Sequence, residues 1–281
     1  MAETPQAKLI REQVARATKR RDRYAEERVQ EMVGILDGAA DDVAKQIGRF
    51  ERAAGLQEWQ TMRLAILKDL EKEIDGIAKE LAANGKIGIK ANVEGSMRLG
   101  IEDGIGQLEA MQMPDFQDLT DFKRNALVNR TFATIDRSAV DFLANYQVTL
   151  LGDVATELAS GIKRTVAQGV LTGQSIPEIS RGIGRVVKDK EAFKRAGKTV
   201  FKTAQQRSTL IARTETLRAH NEGRKVFYQS VGITKVKWLT AQDGRVCPIC
   251  EPLNGVVFKI DGLVGPPRHA NCRCSVFAVT P

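Results

Sequence analysis

All four cysteines of this 281-residue chain, Cys247, Cys250, Cys272 and Cys274, fall within one short C-terminal stretch. Four thiols packed so closely commit that stretch to a staple. Met1 to Arg11 lacks the apolar run of a secretory signal, so disulfides are disfavoured where the chain is made. Clustered cysteines then lean towards metal. Cys247-Pro-Ile-Cys250 is a knuckle, two thiolates three residues apart on a turn, able to face one ion. His269-Ala-Asn-Cys272-Arg-Cys274 follows, and an extended backbone puts the last two sulfurs on the same face. Tetrahedral zinc accepts all four cysteines, or Cys247, Cys250 and His269 with either Cys272 or Cys274. One structural zinc is the expectation. Two disulfides are the alternative staple. A Cys247–Cys250 redox pair is a third reading, without the βαβ context such pairs occupy. His269 can also serve as a hydrogen-bonded orienter outside the ligand set.

Ahead of the cysteines the periodicity is helical. Hydrophobic residues make up 42% of the chain and charged residues 28%, so it is globular, and aromatics at 5% suit helices better than a β-sandwich. No apolar run approaches the ~18 residues of a membrane span. Residues 3–50 read as one long helix or two broken ones, weakened by Gly34, Gly38 and Gly48, with too thin an apolar face to bury itself without a partner. Trp59, Met62, Ile66, Leu70, Ile74, Ile77 and Leu81 mark an amphipathic helix, expected to stop at Asn84-Gly85. Residues 85–118, with six glycines, read as irregular connector, and 120–171 as helix again. Ser175-Ile-Pro-Glu178 is a capping box, and a helix from about Thr199 ends at Ser230 before Gly232.

After Gly232 the pattern changes. Val236 to Thr240 alternates like a strand, Asp243-Gly244 and Asn254-Gly255 signal turns, and Cys274 to Val279 reads as a closing strand. The expected fold class is mainly α with a small C-terminal α+β module, long N-terminal helices and cysteine-rich β hairpins. The expected division is an arm at 1–55, a helical body with a Gly-rich connector at 56–160, and a domain at 161–281 whose β module is 233–281.

Charge concentrates in one place. Lys194 to Lys237 holds eleven basic residues against Glu215 and Glu222, while the whole chain carries +8. The remainder is then 8 − 9 = −1. Such an excess points to a polyanion, nucleic acid first, with Lys194, Arg195, Lys198, Lys202, Arg207, Arg224 and Lys225 as candidate DNA contacts. A solvated basic helix face is the plainer reading, since no aromatic stacking platform accompanies it.

Ile211-Ala-Arg213-Thr214-Glu215 with Arg218, Asn221 and Gly223 is followed by Trp238, by Asp243-Gly-Arg245-Val-Cys247-Pro-Ile-Cys250, by Leu253-Asn-Gly255, and by Pro266-Pro-Arg-His269-Ala-Asn-Cys272-Arg-Cys274. This succession resembles the phage head morphogenesis family of minor head proteins typified by the F protein of phage Mu. The resemblance covers residues 160–281 well, 120–160 loosely and the first 119 hardly at all. It implies a minor component of a tailed-phage head, assembled in the host cytoplasm and associated with portal and major capsid proteins. Family members are linked to head assembly and to the handling of packaged double-stranded DNA.

Within the shared motif, Arg213, Glu215 and Arg218 read as an ion-pair network joining the long helix to the β module. Trp238 reads as a core anchor, while Arg245, Arg268 and Arg273 crowd the cysteine loops. No enzyme is expected. The competing reading is a zinc-stapled, HNH-like metal-dependent nuclease drawing on Glu215, Asp243 and His269. That reading needs a further catalytic histidine, and His220 is the other one in the chain.

Overall fold

The computed structural model describes residues 4–53, 59–171, 178, 181–182, 204–241 and 246–279. Its long helices are α1 (Pro5–Ala53), α2 (Trp59–Ala110), α3 (Asp121–Thr134), α4 (Arg137–Leu171) and α5 (Ala204–Ser230). Strands β1 (Lys235–Leu239), β2 (Val257–Lys259) and β3 (Ser275–Ala278) form one antiparallel sheet in the order β2-β1-β3. The expected fold class, mainly α with a small C-terminal β module, is the one observed. The Ser175–Glu178 capping box and the Asp243–Gly244 turn lie outside the described residues, apart from a helical Glu178.

Local chemistry accounts for the starts of α3 and α4 and the end of α5. The Thr120 hydroxyl accepts from the Lys123 amide and caps α3, and the Asp136 carboxylate accepts from the Ser138 amide before α4. At the end of α5, Gly232 takes φ +78°. Ile233 then donates to the Tyr228 carbonyl at 2.9 Å and Gly232 to that of Gln229 at 3.1 Å. This is a Schellman close, with buried Ile233 as its apolar contact.

One expectation fails. The helix through Trp59 does not stop at Asn84-Gly85; α2 continues to Ala110, so most of the expected connector at 85–118 is helical. Each glycine weakens a helix by about 1 kcal/mol, but packing outweighs that penalty. A Cβ on Gly100 would overlap the His220 carbonyl oxygen, and one on Gly223 the Met97 carbonyl oxygen. A Cβ on Gly104 would meet the Phe227 ring at 2.6 Å. These glycines let α2 and α5 cross backbone to backbone.

The chain forms two compact units, one of residues 1–28, 89–145 and 212–281, the other of 29–88 and 146–211. The second is helical where described, with Ala159 and Ile162 buried and an ion pair of 2.6 Å between Lys163 and Asp75. The first carries the sheet. Its core joins Ile101, Ile105 and Leu108 of α2 and Phe227 and Tyr228 of α5 to Val236, Trp238, Val276 and Ala278 of the sheet. The β module therefore has no core of its own. Trp238 is a core anchor at 1% exposure, with Phe258 edge-on at 6.2 Å.

The first turns of α1 also belong to this unit. Ala17, Arg21 and Ala25 are buried, Tyr24 lies over Gly95, and Arg28 donates to the Asn92 side chain at 2.8 Å. Residues 5–28 are thus packed within the chain, and the expectation that 3–50 depends on a partner for burial is corrected over that range. Tyr24 and Gln13 reach the glycine backbone at Gly95 and Gly106, contacts that apolar periodicity alone does not register.

Between α1, α2 and α5 lies a buried polar network. Asp103 accepts from His220 Nε2 at 2.8 Å, pairs with Arg224 at 3.4 Å and also with Arg20. Burial opposes the Asp103 carboxylate, but the His220 hydrogen bond and the Arg224 and Arg20 charges outweigh it and hold its pKa at about 2. Burial holds His220 at about 4, with Arg224 and Arg21 adding to that and Asp103 opposing it. His220 is therefore neutral when folded and titrates near its ordinary 6.5 when unfolded. Between those values the unfolded chain binds up to one proton more, so stability rises with pH, and is lost as pH drops, by at most about 1.4 kcal/mol per unit. The Asp103 contribution is lost lower, between 3.8 and about 2. The urea midpoint should decline as pH drops from 6.5 to 4, more steeply for the native protein than for His220→Gln. Equal slopes would remove His220 from this role.

Candidate metal centre

The two cysteine motifs meet on one side of the sheet. The first knuckle is a turn in which the Cys250 and Glu251 amides both donate to the Cys247 carbonyl at 3.0 Å, leading into a 3-10 turn at Glu251–Leu253. The second motif runs from His269 to Cys274 into β3, with Asn271 left-handed at φ 62° between the candidate ligands. Two overlapping triads result, Cys247 with Cys250 and His269, and Cys250 with Cys272 and Cys274, each mutually within 4.8 Å. Cys250 belongs to both. All four cysteines are free thiols.

The donor set fits zinc. His269 Nδ1 is 2.8 Å from the Ala270 carbonyl oxygen, which can only accept, so Nδ1 carries the proton. In the neutral ring, Nε2 then keeps its lone pair and faces Cys247 and Cys250 sulfurs at 3.0 and 3.2 Å. A ligating histidine is ordinarily oriented in this way. Cys250 and Cys272 sulfurs are 3.8 Å apart. Two thiolates on one tetrahedral zinc, each ~2.3 Å from it, lie ~3.8 Å from one another.

The protonation pattern follows from the crowding. Burial pushes Cys250 up to about 12, and the hydrogen bond with Cys272, then burial, pushes Cys274 up. The Cys274 hydrogen bond holds Cys272 at about 5. Burial opposes a lowered Cys247, but hydrogen bonds from Cys250 and the Ile249 amide outweigh it. At His269, burial is outweighed by the Ala270 carbonyl and by the negative Cys272 and Cys247, which raise its pKa.

The family-motif residues are distributed otherwise than expected. Arg218 donates to Glu215 at 2.9 Å within α5, and Arg213 pairs with Glu26 of α1. These ion pairs do not link the helix to the β module. Neutral groups do. The Thr214 hydroxyl accepts from the Asn271 amide at 2.9 Å, and the Asn221 side chain donates to the Pro266 and Cys274 carbonyls, each at 3.3 Å. Gly223 is the contact point with α2. Arg268 lies 5.9 Å over the Trp238 ring, while Asp243 and Arg245 are outside the described residues.

Of the candidate DNA contacts, Lys194, Arg195, Lys198 and Lys202 lie outside the described residues, and Arg207 lies on α5. Arg224 is removed from that set. It is buried at 3%, donating to the Ser275 hydroxyl at 2.6 Å and the Val276 carbonyl at 3.3 Å, so no phosphate can reach it. Lys225 is half-buried, with its ammonium on the Leu263 carbonyl at 3.2 Å. His220, the further histidine a nuclease reading requires, is bound to Asp103 in the core.

Asp103, Gly100 and Gly104 were not legible as partners of α5. The Gly100-xxx-Gly104 spacing is the sequence signal for such a close helix crossing.

Long helices carrying a small Cys/His module clamped by a neutral helix motif define a helical scaffold with a candidate structural-metal centre. Residues 160–277 match the family model described as Phage Mu protein F like protein, and over that stretch the chain is similar to that family. No curated protein and no solved structure matches the chain. Among the described residues, no helix is long and apolar enough to cross a membrane.

Proposed function

We propose that this chain is a minor head protein of a tailed phage, acting in head morphogenesis at the portal and capsid interior. The observation that carries the reading is the coincidence of the family match at 160–277 with the helix motif and cysteine knuckles brought to one site. Its C-terminal module is held by one zinc on Cys247, Cys250 and His269, with Cys272 as fourth ligand. Cys274, which forms a triad with Cys250 and Cys272, is the alternative to Cys272 as fourth ligand. The metal supplies structure and no chemistry. Portal and major capsid proteins are its partners in the particle, and the exposed Phe122 and Phe142 offer them apolar surface.

Non-specific contact with double-stranded DNA falls to Lys194, Arg195, Lys198, Lys202 and Arg207, the basic candidates left once Arg224 and Lys225 are committed internally. Quantitative mass spectrometry of purified heads tests the role: the chain should be present in few copies relative to the major capsid protein. Its absence from heads would overturn the reading. Isolated protein should bind duplex DNA with log affinity falling by roughly 0.9 per phosphate against log salt. Reversing Lys198, Lys202 and Arg207 should flatten that slope, and an unchanged slope would move the DNA contact elsewhere.

A further inference from the structure

We infer that α5 is the template on which the metal loop is built, with Thr214 and Asn221 as positioning residues for the zinc ligands. This rests on the zinc reading of the cysteine cluster. The loop from Pro266 to Cys274 carries three of the candidate ligands, and α5 grips it at three backbone points. Asn221 takes the Pro266 and Cys274 carbonyls, one at each end, and Thr214 takes the Asn271 amide between His269 and Cys272.

The middle contact matters most. Asn271 is left-handed at φ 62°, a conformation that non-glycine residues adopt at a cost, so something must hold it. The Thr214 hydroxyl does so, at 7% residue exposure and from a rigid helix. With Asn271 turned in this way, the chain reverses between His269 and Cys272, and both side chains are presented toward Cys250. Asn221 is itself fixed, its carbonyl oxygen accepting from the Ser275 hydroxyl at 3.1 Å, which Arg224 in turn bonds. The loop is therefore preorganised by the helix before an ion arrives, and the motif on α5 and the motif on the cysteine loop form one device. Outer contacts that orient ligands in this manner are worth roughly 10–100-fold in metal affinity.

The test uses the full chain, with zinc affinity read by competition against a chromophoric chelator and ligand geometry by the visible spectrum of the cobalt-substituted protein. Thr214→Val should bind zinc 10–100-fold more weakly and alter the cobalt bands, and Thr214→Ser, which keeps the hydroxyl, should restore both. Hydrogen exchange on the unsubstituted protein provides a measurement independent of variant folding: the Asn271 amide should stay protected after metal removal. Native-like affinity and spectrum in Thr214→Val, or free exchange at Asn271 in the metal-free protein, would overturn the template while leaving the zinc reading intact. Failure of the unsubstituted protein to take up one equivalent of zinc or cobalt would overturn both.

Discussion

Gly223→Ala should destabilise the protein by about 2 kcal/mol, whereas Gly34→Ala should stabilise it by about 0.5–1 kcal/mol. Both glycines are helical, and alanine gains about the same helix propensity at each. The difference lies in what the methyl group meets. At Gly34 nothing lies within 4 Å of the new Cβ. At Gly223 it overlaps the Met97 carbonyl oxygen, part of the α2 backbone, which cannot move aside as a side-chain tip can. The two helices must separate, loosening the Asp103–His220 contact and the core around Phe227. Urea unfolding of the two variants checks this, and a neutral or stabilised Gly223→Ala would show that the helices do not cross as closely as described.

Metal removal should lower the melting temperature of the sheet-bearing unit by about 8–16 °C. That range corresponds to about 4 kcal/mol lost when free zinc falls from a thousandfold excess over Kd to none. Because the sheet shares its core with α2 and α5, the loss should appear in the helical signal as well as in the module. A separately folded module would instead melt on its own and leave helicity unchanged. Cys250→Ser should exceed the effect of chelation, since Cys250 belongs to both ligand triads and is 1% exposed in the core. Elemental analysis decides the premise: one equivalent of zinc is expected. Less than about a tenth of an equivalent together with no free thiols would assign the staple to disulfides instead.

The residues of the α5 motif are split between two mechanical tasks. Gly223 sets the crossing of α5 on α2, while Thr214 and Asn221 hold the ligand loop. Neither task requires a reacting group.

What the sequence by itself determined is whatever depends on neighbours in the chain. Helical periodicity located the 120–171 stretch that holds α3 and α4, though not the break between them, and located α5 with its end before Gly232; alternation located β1, and the Cys247-Pro-Ile-Cys250 and His269–Cys274 spacings located a metal-competent cluster. Only the tertiary structure decided what depends on residues far apart. Gly100 and Gly104 looked like helix breakers because propensity counts their cost locally, and the compensating contact comes from α5, more than a hundred residues later. Arg224 looked like a phosphate ligand because charge in a sequence carries no sign of burial, and it is Asp103 and Ser275 that draw it inside. The first turns of α1 looked short of a partner because Ala17 and Ala25 bury little area, yet Gln13 and Tyr24 of the same helix lie close over Gly106 and Gly95 of α2. Local free energies are additive along the chain and can be read there; close approach between distant backbones exists only once the chain has folded.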